Sequence, residues 1–296
     1  MQGPLDRYAI LFRRNRAAVA SFLDQAGVSV YGKRDLQDLV REHRPSWHLG
    51  TVPVDVIVGL LLRESRLAII DLESDRYRPE QRYAWGTASP FDLAMSLRPN
   101  AYLSHGTATY LHGLLQDVPA TFYVNKEQGP KAQTGKLTQQ GLDRAFAGRP
   151  RQSNLVYTDQ GGRRFVVIAG KHSARLEVGQ VPGPSGELLD ATKLERTLVD
   201  IAVRPVYAGG VHKVLEAYRA ARERISVNLV MATLKKLGHL YPYHQAIGFY
   251  LERAGYDERA LDLARRPGLE FDFYLAHGMK ETEFSRDWRL TYPRGL

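Results

Sequence analysis

The chain has 296 residues, of which 44% are hydrophobic and 25% charged, and it contains no cysteine. That length favours two cores over one, the composition argues against global disorder, and the missing thiols exclude disulfides and thiolate metal sites. The net charge is +9, but Lys plus Arg against Asp plus Glu runs 13 to 11 over residues 1–86 and 10 to 3 over residues 126–175, so most of the excess lies in one stretch.

The N-terminal MQGPLDRYAILFRRNRAAVASF lacks the basic, apolar, small-residue order of a secretion signal. A first helix is expected there instead, because Leu5, Tyr8, Ala9, Phe12, Ala18, Val19, Phe22 and Leu23 recur at three- and four-residue spacing. KRDLQDLVREH predicts a second, closed by Pro45, and a third is expected from near Thr51, with Pro53 in its first turn, to near Ser65. Its run VPVDVIVGLLL is broken by Asp55 and is far short of the roughly 20 residues that span a bilayer, so a soluble, cytoplasmic protein without a membrane partner is expected. LAIIDLE and RYAWG read as strands around SDRYRPE.

Three helices and a two-stranded ribbon follow the order of a winged helix-turn-helix, whose third helix enters the major groove while the wing reaches backbone or minor groove. DNA contacts then fall to Lys33 and Arg34, to His48 and Thr51 ahead of the third helix, to Arg63 and Arg66 at its end, and to Arg76, Arg78 and Arg82 in the wing. A net +2 over 86 residues is small for phosphate neutralisation. The competing reading is a helical module that packs on a second domain or a protein partner.

From residue 87 the pattern changes. SPFDLAMSLRPNAYLSHGTATYLHGLL predicts two helices parted near Pro99 and Asn100, and TFYVN, NLVYTD, RFVVIAG and ARLEVG predict short strands around a polar segment at 126–150. GELLDATKLERTLVDIAVRP returns to helix, followed by GGVHKVLEAYRAARER, VNLVMATLKKLGHL and HQAIGFYLERAGY, and LEFDFYLAHG and WRLTYP close the chain as strands. The overall expectation is an α+β protein with a small N-terminal domain over 1–86 and a larger α+β domain over 87–296. In the latter, Lys126, Lys131, Lys136, Arg144, Arg149, Arg151, Arg163, Arg164, Lys171 and Arg175 form a basic surface or a solvated basic loop region. Charge steers association without specifying DNA, RNA or protein.

Four chemical readings arise. Ser104 beside His105 suggests nucleophile and base, but adjacent helical residues point about 100° apart, and a nucleophile elbow needs glycines where Tyr102 and Gly106 stand. Ser104 is expected instead to cap the next helix, accepting from the N–H of Gly106 or Thr107. His105 and His112 lack ligand partners at spacing three or four, so no metal is expected. GPKAQTGKLT puts five residues between Gly129 and Gly135 where a phosphate loop has four, and offers Leu137 where that loop has a hydroxyl. It is expected to be a basic loop, and no cofactor is expected. Arg196 and Asp200 fit an i,i+4 ion pair on a helix surface. The residues therefore argue against an enzyme, the rival being a nucleic-acid-processing enzyme that uses Ser104, His105 or His112.

YLSHGTATYLHGL, then KLERTLVDIAVRPVYAGGVHKVLEAYRAA, LVMATLKKLGHL and YHQAIGFYLERAGY, resemble in order and spacing the AbiEi antitoxins of abortive-infection systems, over about residues 85–255. The resemblance implies an N-terminal winged helix-turn-helix and a larger C-terminal antitoxin domain. It also implies a type IV toxin-antitoxin system used in phage defence. In such a system the antitoxin represses its own operon by binding promoter inverted repeats, and neutralises a nucleotidyltransferase-like toxin without requiring a stable complex. A solitary transcriptional regulator is the alternative.

Overall fold

The computed structural model describes residues 4–131 and 135–296. The chain divides into two units, Met1–Pro99 with Leu155–Phe165, and Asn100–Asn154 with Val166–Leu296. The expected boundary at 86/87 thus falls inside the first unit.

In the first unit, α1 (Pro4–Gln25), α2 (Lys33–His43) and α3 (Val54–Glu64) pack with a sheet of β1 (Val30–Tyr31), β2 (Leu67–Leu72) and β3 (Glu80–Trp85) in the order β1-β3-β2. Both pairings are antiparallel. The core is Phe12, Val19, Leu23, Leu36, Val40, Trp47, Ile57, Leu60, Leu61 and Trp85. Those α3 residues explain its apolar sequence, since each large aliphatic side chain buried there contributes about 1.5–3 kcal/mol. α3 starts at Val54 rather than Thr51, with Pro53 extended at its N-cap (φ −60, ψ 143). The two-residue β1 has no counterpart among the expected strands. Helix α4 (Pro90–Ser96) is capped by Ser89, which accepts from the Asp92 N–H, and Ser29 donates to the Asp92 carboxylate at 3.0 Å. That bond ties α4 to the residue before β1.

The second unit carries strands β4 (Tyr102–Leu103), β5 (Thr121–Glu127), β7 (Arg164–Gly170), β8 (Val178–Pro182) and β9 (Leu188–Thr192) in the order β7-β5-β4-β9-β8, while β6 (Val156–Thr158) belongs to the first unit, where Thr158 bridges Glu73. β4 is parallel to β9 and antiparallel to β5. Helices α5 (His105–Leu111), α6 (Gln139–Ala147), α7 (Leu194–Val203), α8 (Val211–Ala221), α9 (Val227–Leu237), α10 (Tyr243–Arg253) and α11 (Glu258–Arg265) accompany it, with a second sheet β10 (Phe273–Tyr274), β12 (Leu290–Pro293) and β11 (Thr282–Ser285) in that order. Leu198, Ile201, Tyr218, Ile247, Phe249, Tyr250 and Trp288 form its core. At Gly248 a Cβ would stand 2.0 Å from the Trp288 ring, so only glycine lets α10 carry that indole.

The fold is mixed α and β, as expected. Two local expectations are corrected. LLDAT forms β9 rather than the start of a helix. ARLEVG is no strand until Val178, because Ala174, Arg175 and Glu177 take positive φ and turn the chain. α6 lies within the segment read only as polar, and α11 was not expected.

Candidate functional site

The turn from β4 into α5 carries the first local surprise. Ser104 is extended (φ −152, ψ 177) and His105 is left-handed (φ 50), so the two are not successive helical residues. Ser104 Oγ and His105 Nδ1 therefore meet at 2.9 Å, contrary to the argument from helical geometry. Ser104 is also not the expected cap, because its hydroxyl is spent on the imidazole and α5 has no side-chain cap bond. Left-handed backbone costs a histidine about 1–3 kcal/mol, a strain that collects at functional sites. The Tyr207 ring meets His105 edge-on at 5.4 Å. A Cβ on Gly106 would lie 2.8 Å from the Tyr207 carbonyl oxygen, which fixes the glycine. Burial, then Arg204 and Arg196, push His105 down to about 3, so its ring is neutral. His112 is occupied elsewhere, its Nε2 lying 2.8 Å from the Thr192 carbonyl oxygen.

Beside this turn runs a chain of buried polar contacts. The Tyr102 hydroxyl donates to Glu127 Oε1 at 2.9 Å and accepts from Asn125 Nδ2 at 2.7 Å. Glu127 also accepts from the Ser173 amide at 2.9 Å and from its hydroxyl. Burial pushes the Glu127 carboxyl up, but Ser173, Tyr102 and the Arg175 amide together hold it below the usual range. Arg196 Nη1 donates to the Leu176 carbonyl oxygen at 2.8 Å, and its Nε to Asp200 Oδ1 at 2.8 Å. The expected surface pair is thus a buried one, with Arg196 4% and Asp200 7% exposed. Helical spacing was legible, but not which face of α7 is buried. Burial raises the Asp200 carboxyl, and Arg196 only partly offsets this. Asn125 Oδ1 and Asp200 Oδ2 are both buried and have no hydrogen-bond partner among the described residues. At Gly170 a Cβ would come 2.3 Å from the Asn125 side chain, so glycine leaves room for that amide.

These groups open on a cleft of about 540 Å³. His105, Asn125, Arg196 and Asp200 line it together with exposed Lys131, Lys171, His172 and Arg204, half-buried His239 and Tyr241, and Tyr243. Burial, then Lys171, Arg196 and Arg204, push His239 down to about 4. Asn125, Arg204, His239, Tyr241 and Tyr243 were not singled out from sequence. They come from three places in the chain, β5, the residue after α7 and the stretch 239–243, and no sequence spacing links the three.

Within the second unit Lys131 and Lys171 line the cleft, whereas Arg149 and Arg151 line an adjoining pocket with His277, the two sharing Val203, Arg204, Tyr241 and Tyr243. Lys136 and Arg144 are exposed, Lys126 is half-buried on β5, and Arg175 bonds the Asn100 carbonyl and Asp190. Arg163 and Arg164 belong to the first unit, where Arg163 pairs with Asp159. Residues 132–134 of GPKAQTGKLT lie outside the described residues. Among the described residues no group of three or more histidines and carboxylates is arranged to hold a metal, and no helix is long and apolar enough to cross a membrane.

In the first unit Lys33, Arg34, His48, Thr51, Arg63, Arg76 and Arg78 are exposed. Arg66 is exposed too, paired with Asp24 and lying over the Trp85 ring at 5.0 Å. Arg82 is a correction. It is buried, with Nη2 2.6 Å from Glu80 Oε2 and Nε donating to the Ser96 carbonyl oxygen at 3.2 Å, because α4 ends over that face of β3. Glu80 also binds Arg98 Nη1 at 3.0 Å and the Tyr157 hydroxyl. Burial pushes its carboxyl up, but Tyr157, Arg82 and Arg98 hold it below the usual range.

No family model and no curated protein matches the chain. Its fold is similar to the crystal structure of the RV2827C protein from Mycobacterium tuberculosis, with a TM-score of 0.57 at 16% identity over 94% of this chain and 91% of that one. At that identity the likeness concerns the fold alone.

Proposed function

We propose that the chain is an AbiEi-like antitoxin that represses its own operon and has no catalytic activity of its own. The observation that carries this reading is the ordered series of segments between about residues 85 and 255 described above, taken together in order and spacing. The first unit supports it by arranging α1, α2, α3 and the β2–β3 hairpin in winged-helix order. On this reading α3 lies in the major groove, and Lys33, Arg34, Thr51, Arg63 and Arg66 join Arg76 and Arg78 of the hairpin turn in contacting promoter inverted repeats. Arg82 drops out of the contact set because its guanidinium serves the core. The partner is a nucleotidyltransferase-like toxin, neutralised directly or through its substrate, and the setting is the bacterial cytoplasm.

Charge reversal of Arg76 and Arg78 together is expected to abolish promoter retardation at physiological salt and to leave toxin rescue intact. Loss of two phosphate contacts lowers the slope of log K against log salt by about 1.8. Unchanged binding with an unchanged slope removes the wing from the interface. The rival enzyme reading is weaker, although Ser104 and His105 are in contact, since the Ser104 hydroxyl is wholly buried and His105, pushed down to about 3, is a poor base. Alanine at Ser104, His105 and His112 is expected to lower stability; loss of a nucleic-acid-processing activity in a folded triple variant would restore the rival.

A further inference from the structure

The second unit's cleft has a chemistry that an antitoxin role does not call for. Its lining holds four permanent cations, Lys131, Lys171, Arg196 and Arg204, against one carboxylate, Asp200. Asp200 already engages Arg196, and among the described residues Lys131, Lys171 and Arg204 have no carboxylate partner. Such an excess in a concave, partly desolvated site attracts a polyanion. The neutral histidines record the same field, since the cleft's cations help to depress both His105 and His239.

A simple anion does not complete the site. Asp200 Oδ2 and Asn125 Oδ1 are acceptors, at least nine-tenths buried, without partners. The Asn125 orientation is imposed. Tyr102 spends its hydrogen on Glu127, so the amide must turn its NH2 to Tyr102 and leave its oxygen over. An unmet buried acceptor costs about 1–3 kcal/mol. Phosphate oxygens accept as well and cannot meet this need, while a polyamine carries donors but would face four cations. The ligand must therefore have an anionic part and, apart from it, a neutral part bearing N–H donors. Tyr241 and Tyr243 add aromatic surface of the kind on which a flat base stacks. The volume lies within the range of small-molecule sites.

We propose that this cleft binds a nucleoside phosphate, with the phosphates on Lys131, Lys171 and Arg204 and the amino or ring N–H groups of the base donating to Asp200 and Asn125. The proposal stands independently of DNA binding by the first unit. Calorimetry on the full chain with ATP, GTP, CTP and UTP, the matching nucleosides and inorganic phosphate tests it. At least one nucleotide is expected to bind at least tenfold tighter than either its nucleoside or inorganic phosphate, with UTP, whose base has no amino group, weakest. The exposed substitutions Lys131→Ala and Arg204→Ala are expected to weaken nucleotide at least tenfold without lowering the melting temperature. Asp200→Asn keeps an acceptor for Arg196 and is expected to weaken nucleotide and nucleoside while sparing phosphate. Inorganic phosphate binding as well as every nucleotide, UTP binding best, nucleotide affinity unmoved by Lys131→Ala and Arg204→Ala, or no nucleotide binding at all would each overturn the proposal.

Discussion

Two arginine–aspartate pairs, one in each unit, look alike as chemistry and differ in setting. Arg66 and Asp24 keep 58% and 47% of their side-chain surface exposed, whereas Arg196 and Asp200 keep 5% and 9%. Water screens the first pair, so its arginine exchanges a carboxylate for a phosphate at little cost. The second pair has already been desolvated, and each charge is held where it stands by the other, with the Leu176 carbonyl also accepting from the guanidinium. Cations of the first kind suit a long, salt-sensitive polyanion, and those of the second suit a small ligand read by fixed groups.

The sharpest way to break this contrast is Asp200→Ala, which strands a buried guanidinium. A loss of about 3–5 kcal/mol from the second unit is expected by thermal or denaturant unfolding, and the double change Arg196→Met with Asp200→Leu is expected to recover most of it. A cost under about 1 kcal/mol would mean that the pair is as solvated as its exposed counterpart.

Acidification gives the next effect. The histidines whose pKa is lowered, His105, His112, His239, His244 and His277, all lie in the second unit. For His105 and His239 the folded values, about 3 and about 4, lie below the unfolded 6.5, so the unfolded chain takes up protons first. Their contribution is complete above pH 6.5 and is lost as pH falls toward those values. Between pH 6.5 and 5 a loss on the order of 3 kcal/mol from the two imidazoles is expected for the second unit. Carboxylates such as Glu127, held below their usual range, add to the loss only at lower pH. A flat stability profile across that window would place both imidazoles in water.

Gly106→Ala probes the strained turn at smaller scale. The new methyl would lie 2.8 Å from a carbonyl oxygen, and the helix start must shift to admit it. A loss of about 1–3 kcal/mol is expected, with the Ser104–His105 bond lengthened. An unchanged melting temperature would show the turn to be slack.

These sites also mark what sequence made legible. The three helices and hairpin of the first unit follow from local periodicity, and so do most helices of the second. β1 did not, because it is two residues long and pairs with β3, distant in sequence; β9 did not, although it pairs along its length with neighbouring β8, because LLDAT runs almost directly into the apolar pattern of α7. Ser104 and His105 were misread for one reason: the geometry of consecutive helical residues was applied to a pair that straddles the helix start, where a positive φ reverses the side-chain directions. Arg196 and Asp200 were recognised as a pair but assigned to the surface, since i,i+4 spacing carries no record of what packs against it. Arg82 was counted as a wing cation because its burial depends on α4, which follows it in the chain.

The smallest expected effect bears on the exposed pair. Asp24 accepts from Trp85 Nε1 at 2.8 Å as well as from Arg66, so alanine would disturb the core and the charge together. Asp24→Asn keeps an oxygen for the indole and removes only the charge, and little change in the melting temperature of the first unit is expected. Arg66, no longer neutralised in place, is then free to meet a phosphate. Promoter affinity should rise a few-fold at low salt, and the slope of log K against log salt should steepen by up to about 0.9. An unchanged slope would mean that Arg66 faces no phosphate. The proposed DNA contact set would then shrink to α2, Thr51, Arg63 and the hairpin turn.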